Sequence, residues 1–253
     1  MHVYLESADD GRCMAHVLNL PGCTVRAPNR EQALRRLPDT IRDYCDWLRM
    51  HGEPAPPIGD SLIIEIAGES AGFGPFNPGD AAALFPPDRE PLAREELETH
   101  LRLMAHSRAD LLALVSGLDD EALEWQPDAA TFSIRRILRH VGNAEQWYVS
   151  RLFAPENLPS EWERDETMPI LAFLEMQRRT AVAWLRLLSD RQLSEVYYPT
   201  QWTNHPEEPW TARKVMRRFL EHEREHTAQV REILNVQREC LAARNTLVAN
   251  CSE

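Results

Sequence analysis

Long amphipathic patterns with helical period occupy the C-terminal two-thirds of the chain. Apolar residues recur there at spacings of three and four, which places them on one face of a helix. Proline-containing loops separate these patterns and no strand pattern falls between them, so each apolar face must be covered by another helix. Residues 92–253 are therefore predicted to form an all-α four-helix bundle with a C-terminal tail. The predicted helices cover residues 92–118, 133–153, 169–188 and 211–236.

The N-terminal residues 1–70 show short strand patterns instead, with one helix among them. The first two strands are separated by Asp10-Gly11, a dipeptide favoured in hairpin turns. A helix with cap chemistry begins at Asn29. This segment is predicted to be an α+β domain, a small antiparallel sheet packed with a helix. The strands are predicted at Val3–Glu6, Cys13–Leu20 and 61–67.

Residues 71–91 are dense in glycine and proline and carry no periodic apolar pattern. Such a composition is typical of a linker or a loop draped over a surface. We therefore predict a linker without regular structure over 71–91, with the domain boundary inside it.

The charge balance restricts the partners of the chain. The formal net charge is −12, and Lys214 is the only lysine among 28 basic residues. A field of this sign repels polyanions, so no nucleic-acid partner is expected. No apolar run approaches the length that spans a bilayer, and the first residues lack a signal-peptide pattern, so a cytoplasmic protein without a membrane partner is expected. The five cysteines show no metal-binding spacing.

Two histidines on the last predicted helix form the first candidate site. His222 and His226 are four residues apart, so both imidazoles lie on one helix face, and Phe219 and Val230 place that face toward the core. Burying two polar rings without partners would cost about 1–3 kcal/mol for each unsatisfied group. A metal ion would satisfy both rings, and so would hydrogen bonds within the core. This pair alone does not decide between the two.

A third histidine favours the metal. His140 lies on the second predicted helix of the bundle, three residues after Ile137 and four before Ala144, so it also faces the core. Three imidazoles from two helices leave coordination positions open to water or substrate, which is typical of a reactive metal site.

Residues 92–236 resemble the DinB/YfiT-like superfamily of four-helix metalloproteins. The resemblance implies that His140, His222 and His226 bind a divalent metal, among zinc, nickel, iron and manganese. It also implies a thiol-dependent S-transferase, a maleylpyruvate-type isomerase or a hydrolase, and a low-molecular-weight thiol as a further cofactor. Thr227-Ala228-Gln229 departs from the arginine-glycine-glutamine run that often follows the last histidine. The matching segments are His140, Glu145-Gln146-Trp147-Tyr148, Trp210-Thr211, Leu220–His226 and Gln229-Val230.

The N-terminal segment resembles the HicB-like domain of toxin–antitoxin antitoxins. The resemblance rests on the Leu20-Pro21-Gly22-Cys23 turn followed by a helix that opens at Asn29. It implies a small α+β fold and, in antitoxins, contact with a partner protein. The additional DNA-binding segment of such antitoxins is not evident in this sequence.

These patterns lead to three functional hypotheses. The first is a metal-dependent transferase or hydrolase that acts on a small molecule, with Glu223 as proton acceptor and Trp147, Tyr148 and Trp210 lining the substrate pocket. Solvated carboxylates and plain core aromatics are the ordinary alternatives for these four residues. The second is a non-enzymatic metal-binding regulatory protein that uses the HicB-like domain to bind a partner. The third is a structural metal with an N-terminal domain that forms a homodimer.

Overall fold

The structure, a computed structural model, describes residues 1–59, 62–74, 76, 80–158 and 167–250. An α+β unit at the N-terminus is followed by a helical region. The strands are β1 (His2–Ala8), β2 (Cys13–His16), β3 (Thr24–Ala27) and β4 (Glu65–Phe73). The helices are α1 (Arg30–Met50), α2 (Arg94–Val115), α3 (Asp120–Glu124), α4 (Ile134–Val149), α5 (Ile170–Arg186), α6 (Asp190–Ser194) and α7 (Ala212–Asn250).

The N-terminal sheet is mixed, with strand order β3-β2-β1-β4. The predicted hairpin between β1 and β2 is present, and Gly11 in its turn adopts φ +91°, which glycine tolerates without steric cost. The prediction of a purely antiparallel sheet is wrong, because β4 pairs with β1 in parallel. Helix α1 lies between these strands in sequence and returns the chain to the starting end of the sheet, as a parallel pair requires.

Helix α1 covers the sheet. The Asn29 side chain accepts a hydrogen bond from the Gln32 backbone N–H at 2.9 Å, as the predicted cap requires. Buried residues on one face of α1, among them Leu37 and Ile41, pack in the same core as Val3 and Leu5 of β1. The sheet and α1 thus bury a common apolar face.

The segment 71–91 contains regular structure that the sequence analysis did not predict. Strand β4 continues to Phe73, and a 3-10 turn covers Pro86–Arg89. Asp88 in that turn is buried and accepts hydrogen bonds from the Arg217 guanidinium at 2.9 and 3.1 Å. This ion pair fixes a segment whose composition resembles a free linker. Residues 75 and 77–79 of the predicted linker lie outside the described part of the chain.

The described part of the helical region contains four helices of 16 to 39 residues, α2, α4, α5 and α7, which correspond in position to the four predicted ones. Helix α7 packs against α2 and α4, and α4 packs against α5. Two five-residue helices, α3 and α6, were not predicted, because one turn is too short to show a period. Among the described residues, no helix is both long and apolar enough to cross a membrane.

Lys214 anchors the start of α7. Its side chain is fully buried, and its ammonium group donates to the Ala82 carbonyl at 2.6 Å, to Glu208 Oε1 at 2.8 Å and to the Pro209 carbonyl at 3.0 Å. Burial lowers the pKa of Lys214 to about 8, although Glu208 opposes the shift. Three acceptors match its three N–H donors, so this buried cation ties two loops to the helix.

Gly142 on α4 generates a prediction about packing. A Cβ atom at this position would overlap the buried Phe173 ring of α5. We expect Gly142→Ala to lower the free energy of unfolding by about 1–3 kcal/mol, because overpacking outweighs the gain in helix propensity. Urea denaturation measures this change.

The matched control is Gly117→Ala, since no atom lies within 4 Å of the position that its Cβ would take. That variant should differ from the wild type by no more than about 0.5 kcal/mol. Equal stability of the two variants would contradict the packing argument.

Candidate metal centre

The three predicted histidines come together where α4 crosses α7. His222 Nε2 lies 2.9 Å from His140 Nε2 and 3.2 Å from His226 Nε2. One ring nitrogen from each residue falls within 4.8 Å of the other two. All three side chains are half-buried. Three imidazole nitrogens this close together are a group that could hold a metal ion.

Helix geometry explains this convergence. His222 and His226 are one turn apart on α7, so their ring centroids lie 4.4 Å from each other. His140 approaches from α4, with its ring centroid 4.8 Å from His222 and 4.9 Å from His226. No carboxylate or thiol of the described residues joins the three imidazoles as a further ligand.

The surroundings keep these imidazoles neutral. Burial and, to a smaller extent, the nearby His226 together lower the pKa of His140 to about 4, although Glu225 opposes the shift. Burial also lowers the pKa of His222 well below its ordinary value, as it does for His226, where Glu225 and Gln229 oppose the shift. A neutral imidazole carries the lone pair that a metal ion needs.

Gln229 fixes the orientation of one imidazole. Its Oε1 lies 2.9 Å from His226 Nδ1, and because an amide oxygen only accepts hydrogen bonds, Nδ1 is the donor. In the neutral ring, Nε2 is then the unprotonated nitrogen, and it faces His222. This arrangement fits a metal ligand, since ligand histidines usually donate their other ring N–H to an acceptor.

A buried ring of four charges lies beside the histidines. Four helices of the helical region contribute one member each: Arg108 from α2, Glu145 from α4, Arg178 from α5 and Glu223 from α7. Their side chains are at most 11% exposed. Arg178 Nη2 lies 2.9 Å from carboxylate oxygens of both glutamates, and Arg108 pairs with the same two. The two arginines balance the two glutamates, so the tetrad is neutral as a whole.

Glu223, the predicted proton acceptor, belongs to this tetrad. One carboxylate oxygen accepts from Arg108 Nε at 2.5 Å and the other from Arg178 Nη2 at 2.9 Å. Burial raises the pKa of Glu223, but the two guanidinium groups outweigh burial and lower it below the ordinary value. A carboxylate held in this way is a weak base. Its catalytic role stays a prediction, and the contacts describe an ion pair that joins helices.

The predicted pocket aromatics form one cluster next to the histidines. Tyr148 is buried, and its ring centroid lies 5.8 Å from that of His222 and 6.1 Å from that of Trp210. Trp147 contacts Trp210 at 5.3 Å and donates its indole N–H to the Trp202 carbonyl at 2.7 Å. Tyr148 therefore contacts the metal centre, while Trp147 and Trp210 lie behind it. Their role in a substrate pocket stays a prediction.

The N-terminal sheet also reaches this part of α7, which the sequence analysis missed. His16 of β2 is fully buried, with Nδ1 2.7 Å from Glu221 Oε1 and Nε2 3.4 Å from Glu6 Oε2. Burial lowers the pKa of His16, but Glu221 and Glu6 outweigh it and raise the pKa. On the same side, Arg26 of β3 pairs with Glu225 at 2.9 Å. Strand residues thus contact the neighbours of both α7 histidines.

A family model for the DinB superfamily matches residues 103–230, just over half of the chain. The chain belongs to the DinB superfamily. The matched segment contains all three histidines of the metal centre and all four members of the tetrad. Assignment to the DinB superfamily confirms the resemblance of the C-terminal region, whereas no comparison bears on the HicB-like resemblance of the N-terminal unit.

One solved structure is similar to this DinB superfamily member. It is YfiT from Bacillus subtilis, described as a probable metal-dependent hydrolase with an unusual four-helix bundle topology. The two chains are 17% identical, the match covers 57% of this chain and 89% of YfiT, and the TM-score is 0.43. No curated protein matches the chain.

The tetrad of this DinB superfamily member generates a stability prediction. Arg178→Met keeps the length of the side chain but leaves Glu145 and Glu223 with one guanidinium between them. We expect the free energy of unfolding to fall by about 3–5 kcal/mol, because a buried charge loses its partner. Urea denaturation measures the loss.

Arg186→Met on the same helix is the control, since Arg186 pairs with Glu98 where both side chains are more than half exposed. An exposed pair contributes about 0–1 kcal/mol, so this variant should remain near the wild type. A similar fall in the free energy of unfolding in both variants would contradict a larger contribution of the buried tetrad to stability.

Gln229 generates a prediction about metal affinity. Gln229→Leu removes the acceptor of the His226 Nδ1–H, so the ring loses its fixed orientation. We expect metal affinity to fall by about 10–100-fold, as for other partners of ligand histidines. Competition with a chromophoric chelator measures the affinity. Gln229→Glu, which keeps an acceptor at this position, should retain tight binding, and unchanged affinity in the leucine variant would contradict the assigned role.

Proposed function

We propose that this DinB superfamily member holds one divalent metal ion on His140, His222 and His226 and acts as an enzyme on a small molecule. The reaction class proposed is thiol-dependent S-transfer or hydrolysis. The observation that carries the proposal is the convergence of three neutral imidazole nitrogens without a carboxylate or thiol among the described residues to close the set. Three-ligand sets with open positions are typical of catalytic rather than structural metals.

When bound, a divalent ion at such a site supplies a Lewis acid that lowers the pKa of a water or thiol toward neutrality. The contribution of the chain is to hold the imidazoles and keep them unprotonated. Burial keeps the imidazoles neutral, since it lowers the pKa of all three histidines. Gln229 directs the lone pair of His226 into the site. These features support binding at neutral pH without competition from protons.

The aromatic cluster supplies an apolar wall for a substrate. Tyr148 contacts His222, and burial raises the pKa of its hydroxyl, so the phenol stays protonated at neutral pH. A protonated phenol can donate a hydrogen bond to a substrate but cannot accept a proton from it. For this reason we assign Tyr148 a positioning role in the proposed reaction. We assign Glu223 the role of a helix-joining ion pair, because its carboxylate accepts hydrogen bonds from Arg108 and Arg178.

The metal and the thiol are further parts of the proposal. Imidazole ligands suit zinc, nickel and iron, and manganese is a weaker candidate because it prefers oxygen ligands. A low-molecular-weight thiol would act as second substrate in the transferase reaction. The hydrolase reaction needs water alone.

A second candidate function is a metal-binding regulatory protein whose HicB-like unit binds a partner. One structural feature favours it: β4 is an edge strand of the N-terminal sheet, Ile66 on this strand is 37% exposed, and Ile63 just before it is 78% exposed. Exposed apolar residues at a sheet edge suit pairing with another strand. A second copy of the chain would fit such an edge as well as a different protein.

Metal analysis tests the proposed function. We expect plasma mass spectrometry of untagged protein to find about one divalent ion per chain, lost when His140, His222 and His226 are all changed to alanine. His205→Ala is the control, because His205 lies in a loop outside the cluster and should not alter the metal content. Circular dichroism verifies that the variants are folded.

Screens for thiol transfer and for ester and amide hydrolysis follow, with a chelator as negative control. Turnover that needs both the metal and the histidines supports the enzyme. One metal per chain with no turnover in any screen favours the regulatory function. Absence of metal after reconstitution with zinc, nickel, iron and manganese contradicts both, and the histidines are then a hydrogen-bonded core cluster.

A further inference from the structure

A cavity of about 460 Å³ lies between the N-terminal sheet and the helices α2 and α7. Its volume falls in the range that small-molecule sites occupy. None of the three histidines of the metal centre lines it, so the cavity is separate from the site described above. Apolar parts of its wall come from the loop after β2 and from the 3-10 turn, among them Val17, Pro21 and Pro87.

Two buried polar side chains line the cavity and lack partners on their free atoms. Tyr4 is 9% exposed, and its hydroxyl makes no hydrogen bond to any described residue. His100 is 6% exposed, and its Nδ1 lies 2.7 Å from the Glu96 carbonyl oxygen. Its Nε2 has no partner in the described part of the chain. Both residues line the cavity, so their free polar atoms are available to a ligand or to water that enters it.

The chemistry of His100 limits what a ligand can offer. Because the Glu96 carbonyl can only accept, His100 Nδ1 is protonated and donates to it. Burial lowers the pKa of His100, so the ring is neutral and Nε2 is a bare acceptor. A group that binds Nε2 must therefore be a hydrogen-bond donor.

The charges of the wall favour a cation. Arg213 and Arg217 already donate to carboxylates, Arg213 to Glu96 and Arg217 to Asp88 and Glu221. Both guanidinium groups are thus neutralised and neither is free to bind an anion. A further lining carboxylate, Glu90, is exposed and has no ion-pair partner among the described residues, so it adds negative charge at the solvent-facing rim of the cavity. A donor-rich cation matches this charge.

We propose that this cavity binds a small primary ammonium compound with an apolar body. The ammonium group donates to His100 Nε2 and to the Tyr4 hydroxyl, and the Glu90 carboxylate neutralises its charge. The apolar body lies against the walls formed by Val17 and Pro21. Such a site goes beyond the proposed metal-dependent function, and it does not depend on it.

Isothermal titration of the full-length, metal-loaded protein with n-hexylammonium tests the proposal at neutral pH, where this amine is protonated. Hexanoate and 1-hexanol are matched probes with the same apolar body. We expect n-hexylammonium to bind at least about tenfold more tightly than either, because only it carries both donors and positive charge. Equal binding of all three probes, or no heat with n-hexylammonium up to about 10 mM, would overturn the proposal.

Variants locate the binding. Glu90→Gln, Tyr4→Phe and His100→Phe should each weaken n-hexylammonium binding, with about a tenfold loss for Glu90→Gln. Glu98→Gln is the control, since Glu98 and Glu90 are both exposed and carry the same charge, but Glu98 does not line the cavity. Thermal melts show whether each variant is folded. If Tyr4→Phe and His100→Phe unfold the chain, Glu90→Gln alone tests amine binding in the cavity. A loss in Glu98→Gln equal to that in Glu90→Gln would reduce the effect to net charge and contradict a built site.

The metal centre needs its own control, because an amine can coordinate a metal ion. The variant with alanine at His140, His222 and His226 should bind n-hexylammonium as the wild type does. Loss of binding in this variant would place the amine at the metal centre and overturn the proposal. Amine binding and metal binding are tested with separate variants. Failure of the amine proposal therefore does not imply failure of the metal proposal, nor the reverse.

Discussion

Two arginines and two glutamates, buried together, connect the helices α2, α4, α5 and α7. Arg108 and Arg178 each pair with both Glu145 and Glu223, so α2 and α5 are each joined by charge pairs to α4 and to α7. A buried carboxylate that loses its guanidinium partner destabilises the fold strongly, because no water replaces the partner. This free-energy penalty restrains the positions of the helices more than apolar contacts do. Glu145 is five residues after His140, and Glu223 follows His222 directly. The tetrad therefore sets the distance between the two helices that carry the imidazoles.

Helix α7 joins this tetrad to the rest of the molecule. Within one short stretch it carries two candidate metal ligands, one member of the tetrad, and Glu221 and Glu225, which pair with His16 and Arg26 of the N-terminal sheet. The sheet and the helical region also share one apolar core, in which Tyr44 of α1 and Phe219 of α7 are both buried. A change in how the sheet packs would thus be felt next to the histidines. We infer that the N-terminal unit shapes the metal centre without contributing a ligand.

Much of this arrangement could be predicted from the sequence, because it follows from periodicity. The helical spacing of apolar residues located α2, α4, α5 and α7, and the same spacing placed three histidines on inward faces. Strand direction could not be predicted, since alternation is identical in parallel and antiparallel pairs. The tetrad could not be predicted either: Arg108 and Arg178 resemble the many solvated arginines of an acidic chain, and only tertiary contacts select them. His16 was interpreted as a surface or strand residue, because the sequence does not show that both faces of β2 are buried.

The burial of Lys214 has a practical consequence. It is the only lysine of the chain, and its amine is fully buried beneath the loops that bind it. Reagents that acylate lysine should therefore leave Lys214 unmodified while the protein stays folded. Once α7 detaches from those loops, a single amine becomes reactive. The extent of Lys214 labelling thus measures the fraction of molecules in which α7 has separated from these loops.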